Sequence, residues 1–291
     1  MINIKGSTSI LGVIGNPIEH SLSPVFQNYL IKISKLDYVY LPFKINLEGL
    51  SEFMKGLKKI ENLKGLNVTI PFKEIIIDYM DNLSEEAKKI GAVNTISVEN
   101  GKFYGYNTDV YGIIYTLKMK LKINDLKESL VVLFGAGGAS KAAIWSIHGM
   151  GAKKILVVNR TVDRFKKLNE WAKETLNMEL ELFEWNKIGH LFKTVQPDLV
   201  INSTPIGLKG EEINLDFKNI KKKLKFFDMT YNLGESFLNK VSKRYSFFYS
   251  DGIPMLVAQG TESFRIWTGV DFSNEKVLTY LKSRLKRWQR F

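Results

Sequence analysis

Residues Leu130–Arg164, LVVLFGAGGASKAAIWSIHGMGAKKILVVNRTVDR, constrain the fold more than any other stretch. An apolar run passes into a glycine turn, then into helical periodicity, then into a second apolar run, which is the order of a βαβ unit. Gly135, Ala136, Gly137, Gly138 and Ala139 follow directly on Val131–Phe134. There the backbone can turn sharply and approach a phosphate pair at the N-terminus of the following helix. The sixth position of the glycine fingerprint is Ser140 instead of Gly or Ala, while Ala142 is small enough for close helix–strand contact. With a strand before and a helix after, a dinucleotide pyrophosphate is the favoured guest over a plain turn.

The end of the second apolar run selects the dinucleotide. An NAD site normally closes that strand with Asp or Glu on the ribose 2′-hydroxyl. This chain closes it with Asn159, Arg160 and Thr161, followed by Arg164. Guanidinium groups bind phosphate bidentately, so Arg160 and Arg164, spaced i, i+4 on the opening turn of the next helix, favour NADP. The alternative is a pair of solvated arginines on a lysine-rich surface.

A chain of 291 residues with 45% hydrophobic and 12% aromatic content suits two globular domains. No run of eighteen apolar residues occurs and the first nine residues are too polar for a signal sequence, so a cytoplasmic protein is expected. Cysteine is absent and the three histidines, at 20, 148 and 190, are scattered, so no metal site is expected. The net charge of +12 is spread along the chain, densest at Lys221–Lys225 and Lys282–Arg290, without a nucleic-acid motif. A solvated basic surface that draws small anions is the favoured reading.

In chain order, Ile10–Ile14 reads as a buried strand delivering the loop GNPIEHSLSP at its carboxyl end. Ser23-Pro24 starts an amphipathic helix to about Ile33, so Ser21 and Ser23 lie among helix N-terminal NH groups, a place suited to a carboxylate. Spacing alone favours Ser23 as an N-cap over a ligand contact. Asp37–Pro42 as strand, Leu47–Ile60 as helix and Gly65–Thr69 as strand predict a parallel sheet. Asn67 and Thr69 share one side of the last strand, and Pro71 is expected to open a helix with Lys73 in its first turn. The helix dipole at that end would lower the Lys73 pKa unless an anion answers it, the plainer alternative being an exposed lysine. Gly91–Val98 and Lys102–Tyr106 form a hairpin at Asn100-Gly101. Thr108 or Asp109 then caps a helix reaching Met119.

Beyond Arg164, the pattern predicts a helix over Thr161–Thr175 and strands at Glu179–Phe183, Asp198–Ile201, Leu224–Asp228 and Tyr245–Ser250. Asn202-Ser203-Thr204-Pro205 is a loop at a strand's carboxyl end, where open α/β sheets bind ligands. Asp251-Gly252-Ile253-Pro254 breaks the pattern and releases a helix, Met255–Thr268, with Gln259 on its early turns.

GNPIEHSLSP, NVTIPFK, GAVNTI, GYNTDVYG, GAGGAS, NRTVDR, NSTPIGL, DMTYN and MLVAQGTESFRIW occur in this order along nearly the whole chain. Together they resemble the shikimate dehydrogenase family. The resemblance implies an NADP-dependent oxidoreductase acting on a CH–OH group, reversibly reducing 3-dehydroshikimate to shikimate on the route to chorismate and the aromatic amino acids. By motif position, Lys73 would be the catalytic lysine and Asp109 its partner. Ser21, Ser23, Thr69 and Tyr231 would hold the substrate carboxylate, with Asn67, Asn94, Asp109 and Gln259 on its hydroxyls. Gly135, Ala136, Gly137, Gly138, Ala139, Asn159, Arg160, Thr161, Arg164, Thr204 and Gly252 would bind NADP. Gln27 and Pro205 depart from the usual pattern, at positions not matched to catalysis.

The expected fold is α/β. An N-terminal α/β substrate domain, 1–107 with C-terminal helices 254–291 returning to it, joins a Rossmann-like doubly wound NADP-binding domain, 108–253. The expected partner is a small-molecule substrate, shikimate or 3-dehydroshikimate, with no nucleic acid or membrane, in a monomer or homodimer.

Overall fold

The computed structural model describes residues 4–206, 213, 215–220, 223–231 and 236–288. Gly207, Leu208 and Asn232 of the motifs, and Lys221, Lys222 and Arg290 of the basic clusters, lie outside the described residues. The chain divides into two compact units, Met1–Tyr111 with Leu256–Phe291, and Gly112–Met255.

The first unit runs β1 (Ser9–Gly15), α1 (Ser23–Ser34), β2 (Tyr38–Lys44), α2 (Leu50–Leu57), β3 (Leu63–Val68), β4 (Asn82–Leu83), α3 (Glu85–Ile90), β5 (Thr95–Glu99) and β6 (Lys102–Tyr106). Its six strands are ordered β2-β1-β3-β5-β6-β4. β1 is parallel to β2 and β3, as the sequence predicts for these three strands, but the sheet as a whole is mixed, since β5 is antiparallel to both β3 and β6. The cause is the Asn100-Gly101 turn, whose residues both take positive φ (52° and 73°). A two-residue turn can join only antiparallel neighbours. One core of this unit packs Leu50, Met54, Leu66, Val68, Phe72, Ile96 and Phe103. At Gly65 on β3 the backbone meets the Trp267 indole, whose Nε1 donates to Ile96 O at 2.8 Å.

The chain leaves this unit through α4 (Asp109–Tyr115), which continues as a π-helical turn over Thr116–Lys120. The second unit then runs β7 (Leu130–Phe134), α5 (Gly138–Gly149), β8 (Lys154–Asn159), α6 (Val162–Leu176), β9 (Glu181–Glu184), α7 (Leu191–Thr194), β10 (Leu199–Asn202), β11 (Lys225–Asp228), α8 (Phe237–Tyr245) and β12 (Phe248–Ser250). Its sheet is parallel throughout, in the order β12-β11-β10-β7-β8-β9. Alternate strand residues feed two cores. Val131, Leu133, Ile155, Val157, Leu199 and Ile201 pack against α5 and α6, while Val132, Phe134, Leu156, Val158, Val200 and Phe226 pack against α7 and α8. This is the doubly wound arrangement, with its switch point between β7 and β10.

The chain returns through α9 (Ile253–Thr268) and ends in α10 (Asn274–Trp288). Three helices escaped the sequence reading, the single turn of α7 among them. α3, capped by Ser84 Oγ accepting from Ala87 N, ends at Ile90 just before the expected Gly91–Val98 strand, and that strand begins only at Thr95. α8, capped by Ser236, fills what reads as a loop. α3 and α7 are too short to show a helical period, and α8 spans only nine residues. Among the described residues no helix is long and apolar enough to cross a membrane.

Candidate functional site

Lys73 is not on a helix N-terminus. Ile70-Pro71 is a cis peptide in a turn closed by Phe72 N donating to Thr69 O, and the short 3-10 segment Ile75–Tyr79 starts only after Lys73. The expected dipole effect on Lys73 therefore loses its basis. What holds this residue is tertiary: Phe72 is fully buried, and Val93 N donates to Lys73 O at 2.8 Å. The Lys73 ammonium donates to Asp109 Oδ2 at 2.6 Å, while Asn94 Nδ2 donates to Asp109 Oδ1 at 2.9 Å. Both carboxylate oxygens are thus engaged. The Asp109 side chain is 6% exposed and that of Lys73 23%, so the ammonium keeps an open flank.

Asn94 lies just before β5, where its carbonyl accepts from Val68 N and its Oδ1 accepts from Thr108 N at 2.7 Å. Its amide also donates toward Thr108 Oγ1 (3.0 Å) and Gln259 Oε1 (3.2 Å), the latter carried by α9. Asn67, paired in register with Thr95, accepts from Tyr40 Oη at 2.7 Å and donates to Ser263 Oγ at 3.0 Å. Thr95 and Ser263 hydroxyls complete the network at 2.8 Å. Such a fully bonded buried network gives its members fixed orientations. Tyr40, Thr95, Thr108 and Ser263 were missed as site residues by sequence reasoning. Ser263, one turn after Gln259 on α9, carried the one available signal.

The loop after β1 lies beside the end of β3, because parallel neighbours bring their carboxyl ends to one edge. Thr69 N donates to Ile14 O and Asn16 N to Ile70 O, both at 2.9 Å. The packing is tight: a Cβ on Gly15 would stand 2.3 Å from Thr69 Cγ2. Ser23 is the first residue of α1 and is buried, but the cap position belongs to Leu22 and no side-chain cap bond is made. The N-cap reading of Ser23 is therefore overturned. Instead Ser21 Oγ accepts from Ser23 N at 3.3 Å. Gln27, fully buried in α1, donates to Gly260 O at 2.8 Å and so ties α1 to the residue next to Gln259.

In the second unit, Gly135 takes φ of +115°, and a Cβ there would lie 2.6 Å from Ser203 Oγ. Ser140, irregular for the fingerprint, has a clear task. Its hydroxyl accepts from Gly137 N at 3.0 Å and meets Ser203 Oγ at 2.8 Å, while Ser203 Oγ donates to Phe134 O. The loops after β7 and β10 are thus tied together at the switch point. A Cβ at Gly137 would meet nothing within 4 Å, leaving room above the start of α5. That opening and the first-turn N–H groups suit a pyrophosphate.

Thr204 Oγ1 donates to Asn202 Oδ1 at 2.7 Å, and Asn202 Nδ2 donates to Asp228 Oδ1 at 3.1 Å. Asp228, at the end of β11, also accepts from Thr230 Oγ1 at 2.8 Å, and burial raises its pKa. Burial likewise pushes the Tyr249 phenol up. Tyr231, shortly after β11, belongs to this unit, apart from the other expected carboxylate residues in the chain. Gly252 is required by packing: its N donates to Thr230 O, and a Cβ would stand 2.4 Å from Met229 O.

At the end of β8, Asn159 Nδ2 donates to Thr161 O at 2.8 Å. Arg160 precedes α6 instead of lying on it, while Arg164 is in its first turn. Both are exposed, and no acidic residue ends the strand. This donor set fits a 2′-phosphate.

The sequence matches three family models in succession. The shikimate dehydrogenase substrate binding domain covers residues 13–96, shikimate / quinate 5-dehydrogenase covers 117–230, and the shikimate 5′-dehydrogenase C-terminal domain covers 252–277. The chain belongs to the shikimate dehydrogenase family. Within the family, the NADP(+) shikimate dehydrogenase of Aquifex aeolicus is 41% identical over 270 residues, 92% of this chain and 94% of that protein. The shikimate 5-dehydrogenase of Listeria monocytogenes, solved in complex with shikimate and NAD, superposes with a TM-score of 0.86 at 29% identity, covering 97% and 99% of the two chains. That of Thermus thermophilus, in complex with NADP(H) and shikimate, gives 0.80 at 26% identity, covering 95% and 99%.

Proposed function

We propose that this shikimate dehydrogenase family member interconverts 3-dehydroshikimate and shikimate with NADP(H), on the cytoplasmic route to chorismate and the aromatic amino acids. One observation carries the reading: the Lys73 ammonium sits 2.6 Å from a buried carboxylate whose other oxygen is held by Asn94. That arrangement orients a single proton-bearing group and leaves it an open flank.

Residues 1–107 and 254–291 are assigned to the substrate and 108–253 to NADP, in a monomer or homodimer. When bound, NADPH supplies a hydride to the C3 carbonyl carbon of the substrate. Lys73 gives a proton to the carbonyl oxygen as negative charge develops there, and it takes the proton back from the C3 hydroxyl in the oxidative direction. Asp109 steers the ammonium and, with Asn67, Asn94 and Gln259, binds substrate hydroxyls. Ser21, Ser23, Thr69 and Tyr231 offer hydroxyl groups to the substrate carboxylate. The loop Gly135–Ala139 and the start of α5 cradle the pyrophosphate, Asn159, Arg160, Thr161 and Arg164 bind the adenosine 2′-phosphate, and Thr204 and Gly252 line the nicotinamide side.

The test is spectrophotometric: NADP reduction with shikimate and with quinate, repeated with NAD. Turnover is expected with shikimate and NADP at far higher kcat/KM than with any other combination. Absence of turnover with shikimate under either cofactor overturns the reaction, and a preference for NAD overturns the cofactor.

A further inference from the structure

Trp185 has no part in the assignments above, yet it touches one of their residues. β9 pairs in parallel with β8, with Glu184 in register with Asn159, so the residues following the two strands emerge side by side. These are Trp185 and Arg160, and the Arg160 guanidinium lies over the Trp185 ring, 5.8 Å from its centroid. The indole is itself anchored: it is half-buried and packs against the cluster containing Val158, Leu191 and Val200. Glu184, the residue before Trp185, is ion-paired with Lys187 at 3.1 Å. Among the described residues Arg160 has no carboxylate partner.

We infer that Trp185 is a positioning residue for cofactor choice, a fixed shelf that holds the Arg160 guanidinium ready for the adenosine 2′-phosphate. The inference rests on the NADP reading. A guanidinium lying on an aromatic face satisfies its π surface there and leaves its N–H edges free for a phosphate. An exposed arginine without such a shelf must lose rotamer freedom when ligand arrives, and holding it beforehand removes part of that cost. The effect acts only on a cofactor that carries the 2′-phosphate.

The experiment measures KM and Kd for NADP and NAD in Trp185→Leu, Trp185→His, Arg160→Ala and the double variant Arg160→Ala/Trp185→Leu. The Trp185 variant that keeps wild-type kcat at saturating cofactor is the one read, since that value certifies its fold. Its Kd for NADP should rise about two- to fivefold, the range of an exposed cation–π contact, with NAD unchanged. In the Arg160→Ala background the substitution should have no further effect. Equal losses for NAD and NADP, the same loss with and without Arg160, or no loss overturns the inference. If Arg160→Ala itself leaves NADP binding intact, the cofactor reading fails as well, which separates the two failures.

Discussion

Removing the Lys73 side chain separates the chemistry of the Lys73–Asp109 pair from its contribution to stability. Lys73→Ala leaves the Asp109 carboxylate, 6% exposed, with the Asn94 amide as its remaining side-chain donor among the described residues. Breaking a buried pair from one side costs about 3–5 kcal/mol, and because Lys73 is partly exposed, water can reach the vacated place and reduce this to about 2–3 kcal/mol. Loss of the proton donor should lower kcat by roughly two to four orders of magnitude, about 3–5 kcal/mol of barrier. The substrate and cofactor KM should change much less. Adding Asp109→Asn removes the uncompensated charge while keeping an oxygen for Asn94 to donate to. The double variant should therefore recover most of the lost stability in urea denaturation, with kcat still at the Lys73→Ala level. Recovery of kcat along with stability would show the pair to be structural only. Near-normal kcat of folded Lys73→Ala between pH 6 and 10 would refute the assignment altogether.

Replacing both Arg160 and Arg164 by Ala should cost on the order of 2–4 kcal/mol in NADP binding and leave NAD binding unchanged, read by isothermal titration. Ser23→Ala should raise KM for shikimate with little change in melting temperature, because Ser23 caps nothing; a lower melting temperature with unchanged KM would count against the carboxylate role. Asp228→Asn tests burial: its folded pKa is raised above the unfolded value, so wild-type stability from this group is present at low pH and declines as pH rises from about 4 through the raised value. Three bonds from Asn202 and Thr230 all end on Asp228 Oδ1 and survive as an amide oxygen, so Asp228→Asn should match wild type near pH 4 and exceed it in stability at pH 8 in denaturant titrations. Gly65→Ala should lose about 1–3 kcal/mol, since the new methyl would stand 2.1 Å from Trp267 Nε1; an unchanged unfolding midpoint would mean the indole moves freely.

The sequence by itself determined the strands of the second unit and its first two helices, but not α7 or α8. Its four inner strands, β7, β8, β10 and β11, are apolar runs ended by Gly, Asn or Asp, and a parallel sheet covered on both faces demands such runs. Ser140 was the exception in the fingerprint, and its purpose needed Ser203, sixty-three positions away in the chain. The first unit was legible as alternating strand and helix, and the Asn100-Gly101 turn was read correctly, but its consequence for sheet direction needed β3 beside β5. Lys73 was singled out from sequence by its motif and by an expected helix start at Pro71, and the second reason proved wrong. Its setting comes from the turn at Pro71 and from Val93, Asn94 and Asp109, brought together by strand pairing. Local propensity carries information about neighbours within a helical turn or a hairpin. Hydrogen bonds between Tyr40 and Asn67, or Asn94 and Gln259, span 27 and 165 positions, and only packing in three dimensions decides them.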